Sequence, residues 1–150
     1  MAVLRDNPYA QFNFLVDLGG GDSGGPEAGF QECSPITTRV DVIEYRNGND
    51  PENYSRKLNG LRRVDDVTLK RGIIGSLALY RWFDQVGNGD PAAARDVVIH
   101  LQNEDHTAIV MSWKLRGARI VKHTSGPLNA RGADVAIEEI TLAYERLELE

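Results

Sequence analysis

Asp96-Val97-Val98-Ile99-His100-Leu101 and Ala108-Ile109-Val110-Met111-Ser112-Trp113-Lys114-Leu115 flank the polar turn Gln102-Asn103-Glu104-Asp105-His106-Thr107. Both flanks are short, apolar and rich in β-branched residues, and the polar insert has the length of a hairpin loop. This pattern puts the last third of the chain in the β class. Ala118–Lys122 reads as a further strand, broken at Ser125-Gly126-Pro127. Val135–Leu149 alternates as well, but its apolar parity slips twice: Val135/Ile137, then Ile140/Leu142/Tyr144, then Leu147/Leu149. Either one long bulged strand or two strands produce such slips.

Outward from this region the pattern repeats. Tyr9–Leu18 places Phe12, Phe14, Val16 and Leu18 on one face with period two, as a half-buried strand does. It ends at the glycine-rich stretch Gly19–Pro26, which lacks the Lys-Ser/Thr pair of a phosphate loop and reads as a connector. Thr37–Tyr45 is a second β-branched strand, with a parity change between Val42 and Ile43 that implies a bulge or a change of environment. Residues 46–60 form a long polar segment holding Arg46, Asn47, Asp50, Tyr54, Arg56 and Leu58. A loop of this length inside a small domain is either a docking element or solvated slack. Val67–Lys70 reads as a short strand leading to Arg71-Gly72. A helix is expected over residues 73–86, where Leu79, Trp82, Phe83 and Val86 recur at i, i+3, i+4 and i+7 and form the candidate helix–sheet core. Gly87-Asn88-Gly89-Asp90-Pro91 ends it. The expected architecture is mainly β: two packed antiparallel sheets, as a sandwich or small barrel, with one flanking helix.

Composition narrows the function classes. The 150 residues fit a single domain, 1–150. A formal net charge of −5 disfavours duplex nucleic-acid binding, which calls for a basic footprint. No stretch approaches the ~20 apolar residues of a membrane span. The first residues, Met1–Pro8, lack the apolar core of a signal peptide, so the chain is expected to be cytosolic when made. Cys33 is a lone cysteine, expected as a small half-buried apolar residue. The histidines His100, His106 and His123 show no metal-ligand spacing, and no nucleophile elbow is present. The paired acids Asp65-Asp66, Glu104-Asp105 and Glu138-Glu139 point to opposite faces when on strands, and read as solvated surface rather than a catalytic pair. No catalytic, cofactor or metal residues are therefore assigned, and a non-enzymatic role is expected.

The β pattern leaves a physical problem. Long strands in an open sheet expose unpaired backbone groups along its edges, and pairing with neighbouring copies around a ring covers them.

Several segments carry a resemblance, in order along nearly the whole chain. Asn7–Val16, Phe30-Gln31-Glu32-Cys33-Ser34, Val42–Asn49, Arg56–Leu61, Val67–Gly72, Trp113–Lys122, Leu128-Asn129-Ala130 and Val135–Glu139 resemble the T4-like tail tube protein family of contractile tails and contractile injection systems. Pro35, where that pattern often has glycine, and the longer Gly19–Gly29 stretch depart from it. The resemblance implies a homohexameric ring whose sheets join into a barrel around a lumen, with rings stacked into a tube inside a sheath. It implies synthesis in the bacterial cytoplasm, sheath, baseplate and terminator partners and a cargo, effector protein or DNA, in the lumen. Arg46, Asn47, Asp50, Tyr54, Arg56 and Leu58 then become candidate ring-stacking contacts. The Met1–Val16 segment and the "NEDHTAIV" turn resemble versions found in injection particles more than in phage tails. A negative subunit would also let a polyanion pass without sticking. Two other classes make different predictions: a monomeric small-ligand module with a pocket under the aromatic helix, and a small hydrolase using His100 or His123.

Overall fold

The computed structural model describes residues 2–19 and 29–150. The central part of the glycine-rich connector therefore lies outside the described residues. In chain order the elements are β1 (Phe14–Asp17), β2 (Glu32–Cys33), β3 (Thr38–Tyr45), β4 (Arg56–Val64), β5 (Val67–Gly72), α1 (Ala78–Gly87), a 3-10 turn at Pro91–Ala93, β6 (Arg95–Gln102), β7 (Ile109–Ser125), β8 (Ile137–Ala143) and β9 (Arg146–Leu149). All pairings are antiparallel. The main sheet is seven-stranded, ordered β1-β6-β7-β8-β5-β2 with β9 also on β7, and β3-β4 form a separate two-stranded sheet.

β7 is the spine. Its first part pairs with β6 and β9, and its last part, from Arg119 on, pairs with β8. The expected break between strands at 115 and 118 does not occur. Gly117, at φ +65, lets the backbone bend where an L side chain would be strained, and the strand runs on. The chain thereby passes from one layer to the other. Val16, Val97, Ile99 and Leu115 on one side meet Val67, Leu69, Ile120, Ile140 and Leu142 on the other in one core with Leu79 and Trp82 of α1. The result is mainly β with two sheets and one helix. It is not a closed barrel: among the described residues, β1 and β2 end the main sheet without pairing to each other.

Other boundaries move for local reasons. The helix begins at Ala78 rather than 73, because Gly75 at φ +81 interrupts the backbone, and Ile73, Ile74 and Leu77 remain exposed. β5 extends through Arg71-Gly72, and β1 is shorter than Tyr9–Leu18, leaving Phe12 67% exposed. The double parity slip near the C-terminus resolves into two strands, β8 and β9, both on β7. The long polar segment is also shorter than expected. Residues 46–55 make the tip of a hairpin, and Arg56–Gly60 already belong to β4.

Candidate assembly surface

β3 and β4 form an arm. β2 leads into β3 and β4 into β5, so the hairpin prolongs the edge of the main sheet beyond the body. Among the described strands, β3 and β4 pair only with each other. Their register is irregular between Val40 and Val42, opposite Gly60 and Leu61. A Cβ on Gly60 would stand 2.9 Å from the Asp41 carbonyl oxygen, so only glycine fits this bulge. Arg63 pairs with Asp41 beside it. The extra residue of the bulge lies on β4; along β3 the alternation stays regular, so the parity change at Val42/Ile43 reflects apolar side chains on both faces.

Val40, Val42, Ile43, Tyr45, Leu58 and Leu61 are each about half exposed or more. Ile43 lies opposite Leu58, while Val42 faces the other way opposite Asn59, so both faces of the arm carry unburied apolar groups. A single chain leaves this surface in water, which marks it as an interaction site.

The expected ring-stacking residues are spread over this arm. Arg46, Asn47, Asp50 and Tyr54 lie in the tip, and Arg56 and Leu58 on β4. The tip is ordered by its own hydrogen bonds. The Asn47 N–H donates to Asp50 Oδ2 at 3.0 Å, and the Asp50 N–H to the Asn47 carbonyl at 3.1 Å. Arg46 donates to the Glu52 and Asp50 carbonyls, and Arg56 Nη2 meets Asp50 Oδ1 at 3.0 Å. Tyr54 is 78% exposed. The tip is thus a shaped protrusion with an unpartnered aromatic at its end.

α1 packs on the body against β7. Leu79 and Trp82 are buried, and Phe83 and Val86 pack partly buried against the core. The Trp82 Nε1–H donates to the Ala93 carbonyl at 2.6 Å, and the Arg95 guanidinium lies 4.5 Å from the ring centroid. Trp82 thus uses its indole N–H and one ring face for contacts within the chain itself.

One feature escaped the sequence reading. Glu138 is not solvated surface: it is 7% exposed, and Arg71 is 1% exposed. Arg71 Nε donates to Glu138 Oε1 at 2.5 Å, and His123 Nε2 lies 3.4 Å from Glu138 Oε2. Tyr80 and Phe83 of α1 border His123, with ring centroids 6.1 and 6.5 Å away. A charged residue at the end of a strand pattern gave no signal that its partner lay far along the chain.

The remaining reactive groups are tied up. Burial pushes the Cys33 thiol up to about 11, which keeps it protonated near neutrality. Burial lowers His100, and nearby Asp17 opposes this while Lys114 adds to it. His100 Nδ1 is 2.7 Å from Ser112 Oγ, but Ser112 is only 6% exposed, so the hydroxyl is a buried partner rather than an open nucleophile. Among the described residues no cluster of three or more His, Cys, Asp or Glu has metal-site geometry, and no helix is long and apolar enough to cross a membrane.

The model of the T4-like virus tail tube protein gp19 family matches residues 10–148. The chain belongs to this family. As a tail tube protein, it is also similar in structure to a chain of the PVC sheath-tube complex, an extracellular contractile injection system in its extended state. That pair has a TM-score of 0.81 and 28% identity over 95% of this chain and 91% of the other. A chain of the tube-terminating cap of the anti-feeding prophage aligns at TM-score 0.78 and 28% identity, over 100% and 95%. Hcp1 from Flavobacterium johnsoniae, at TM-score 0.54 and 12% identity over 91% and 93%, shares the fold. No curated protein matches in sequence comparison.

Proposed function

We propose that this tail tube protein is the inner-tube subunit of a contractile, phage tail-like injection particle. Copies form a homohexameric ring, and rings stack into a hollow tube that conducts cargo and is driven through a target envelope. The observation that carries this reading is the arm, a free-standing hairpin with apolar groups on both faces, in a chain that aligns at 28% identity with a subunit of an extracellular sheath-tube complex. Sheath, baseplate and terminator proteins are the partners, because the similar chains come from a sheath-tube complex, a baseplate and a sheath/tube terminator. The role is mechanical and uses no catalytic site. Arg46, Asn47, Asp50, Tyr54, Arg56 and Leu58 contribute to contacts between stacked rings, since they occupy the projecting tip and the strand that leaves it.

Negative-stain electron microscopy of the purified protein over a range of concentrations, with mass by light scattering, tests the reading. Rings or hollow tubes of six copies per turn are expected, with baseplate proteins added as nucleators if rings are slow to appear. A strict monomer under both conditions overturns it. A phage tail tube conducting DNA is the second reading, favoured by the chain's net charge of −5. Recovering particles from the native host and identifying effector protein or DNA in the lumen separates the two.

A further inference from the structure

The chain holds three Asn-Gly pairs, Asn47-Gly48, Asn59-Gly60 and Asn88-Gly89. Asparagine before glycine is chemically labile, because glycine has no Cβ to shield its nitrogen from the neighbouring side-chain amide. The three pairs are equivalent in sequence, and the fold makes them unequal.

Two of them are locked. Loss of the amide requires the following nitrogen to swing round toward the asparagine Cγ. Asn59 lies in β4 opposite Val42, where an antiparallel strand holds ψ at about +135° and turns that nitrogen away. Gly60 is also hemmed in by the Asp41 carbonyl and the Ile43 side chain. Asn88 caps the end of α1 with ψ at 2°, which again turns the nitrogen away. The Gly89 N–H is held as well, donating to the Val86 carbonyl at 3.0 Å.

Asn47-Gly48 differs on each count. It opens the turn at the tip of the hairpin, and Gly48 is exposed. A Cβ on Gly48 would meet nothing within 4 Å, and among the described residues nothing accepts from its N–H. The bonds that order this turn use the Asn47 N–H, the Asn47 carbonyl and Asp50 instead. The Tyr45 hydroxyl donates to Asn47 Oδ1. A donor on that oxygen draws electrons from Cγ and faces the negative charge that builds there as a nucleophile adds.

We infer that Asn47-Gly48 is a site of spontaneous deamidation, promoted by Tyr45. The Gly48 nitrogen gives its proton to water and bonds to Asn47 Cγ; the Cγ–Nδ2 bond breaks and the amide leaves as ammonia. Water then opens the succinimide at either carbonyl, leaving aspartate or isoaspartate at position 47. Water is the only co-reactant. Either product adds a negative charge to residues 46–55, which hold one base (Arg46) and two acids (Asp50, Glu52), so their net goes from −1 to −2. Isoaspartate also routes the backbone through the former side chain, at the residue whose carbonyl accepts from the Asp50 N–H. The tip thus changes charge and shape with age. The reaction needs only a free subunit, so it stands whether or not copies form rings.

The test keeps the unmodified protein as dilute monomer in mildly alkaline buffer, with a parallel sample in urea. Aliquots taken over days are digested, and the three pairs are quantified by mass spectrometry and isoaspartate methyltransferase labelling. In urea the three should react at similar rates. In the folded protein Asn47 should outpace Asn59 and Asn88 at least roughly fivefold, the factor that about 1 kcal/mol of local opening imposes on a hydrogen-bonded site. Folded-state rates at Asn59 or Asn88 that equal or exceed the rate at Asn47 overturn the assignment. Tyr45→Phe should slow Asn47 about threefold, far less than at a buried oxyanion site because Tyr45 is 51% exposed. The rates at Asn59 and Asn88 should not move in this variant, whereas a merely loosened hairpin would speed Asn59. An unchanged Asn47 rate in Tyr45→Phe overturns the part given to the hydroxyl.

Discussion

Replacing Arg71 by methionine probes the energetics of the fold most directly. Arg71 is 1% exposed and Glu138 7% exposed, and a 2.5 Å charge-assisted hydrogen bond joins them. Methionine keeps much of the apolar stem but removes the charge, so among the described residues Glu138 is left buried with His123 at 3.4 Å. Removing one member of a buried ion pair costs roughly 3–5 kcal/mol, because the surviving charge keeps its desolvation penalty without compensation. At about 2–4 °C per kcal/mol for a chain of this size, the melting temperature should fall by roughly 6–20 °C. The assay is urea unfolding of dilute monomer, since assembly would add stability by mass action. The m-value should stay constant while the midpoint moves. The companion variant Arg71→Met/Glu138→Leu should recover most of the loss, because apolar replacement of both partners is often neutral or better. A loss below about 1 kcal/mol for the single variant, or a double variant as unstable as the sum of its parts, would refute the argument that desolvation governs this pair.

Three further outcomes follow from particular contacts. Trp82→Ala removes a side chain that is 1% exposed and its bond to Ala93, and should cost about 3–5 kcal/mol in the same urea assay. Gly60→Val places a side chain against the Asp41 carbonyl and distorts the arm, so rings should be lost in negative stain while the body's melting temperature barely moves. A parallel loss of body stability would show that the arm is not an independent unit. The hydrogen bonds from Arg5 hold Glu104 down at about 2, at the point where the N-terminal segment is strapped to the β6–β7 turn. With the folded value depressed, this contribution is complete above the ordinary glutamate range and is lost as pH falls through about 2. An NMR titration of the Glu104 carboxyl should show that low midpoint, rising in Arg5→Ala; a midpoint above 4 in the unmodified protein would contradict the strap.

Legibility in the sequence followed the range of the forces involved. Period-two alternation is local, so the hairpin around residues 102–107, the β3 strand and the C-terminal parity slips could be read residue by residue, and the slips proved to be β8 and β9. The amphipathic run Leu79-Trp82-Phe83-Val86 likewise marked the helix face, although Gly75 shifted its start. Glycine conformation was less legible. Nothing in Leu115-Arg116-Gly117-Ala118 distinguishes a strand break from a bend, and the pairing of both flanks with β6, β8 and β9 made it a bend within β7. The polar run after Tyr45 looked like one loop because its apolar residues are sparse. Strand pairing with β3 turned Arg56–Gly60 into half of an arm.

What the sequence by itself determined is the class of the object: an antiparallel β domain with one helix and a family likeness spread along its length. These rest on local periodicity and on short motifs, which survive without knowledge of contacts. Only the tertiary structure decided that Arg71, His123 and Glu138 share a buried site, since their burial depends on segments up to 67 residues apart meeting across β5, β7 and β8. It alone also decided that, among the described residues, β1 and β2 do not pair with each other and β3 and β4 pair only with each other. Whether an edge is paired depends on where the chain returns, and no local pattern carries that information.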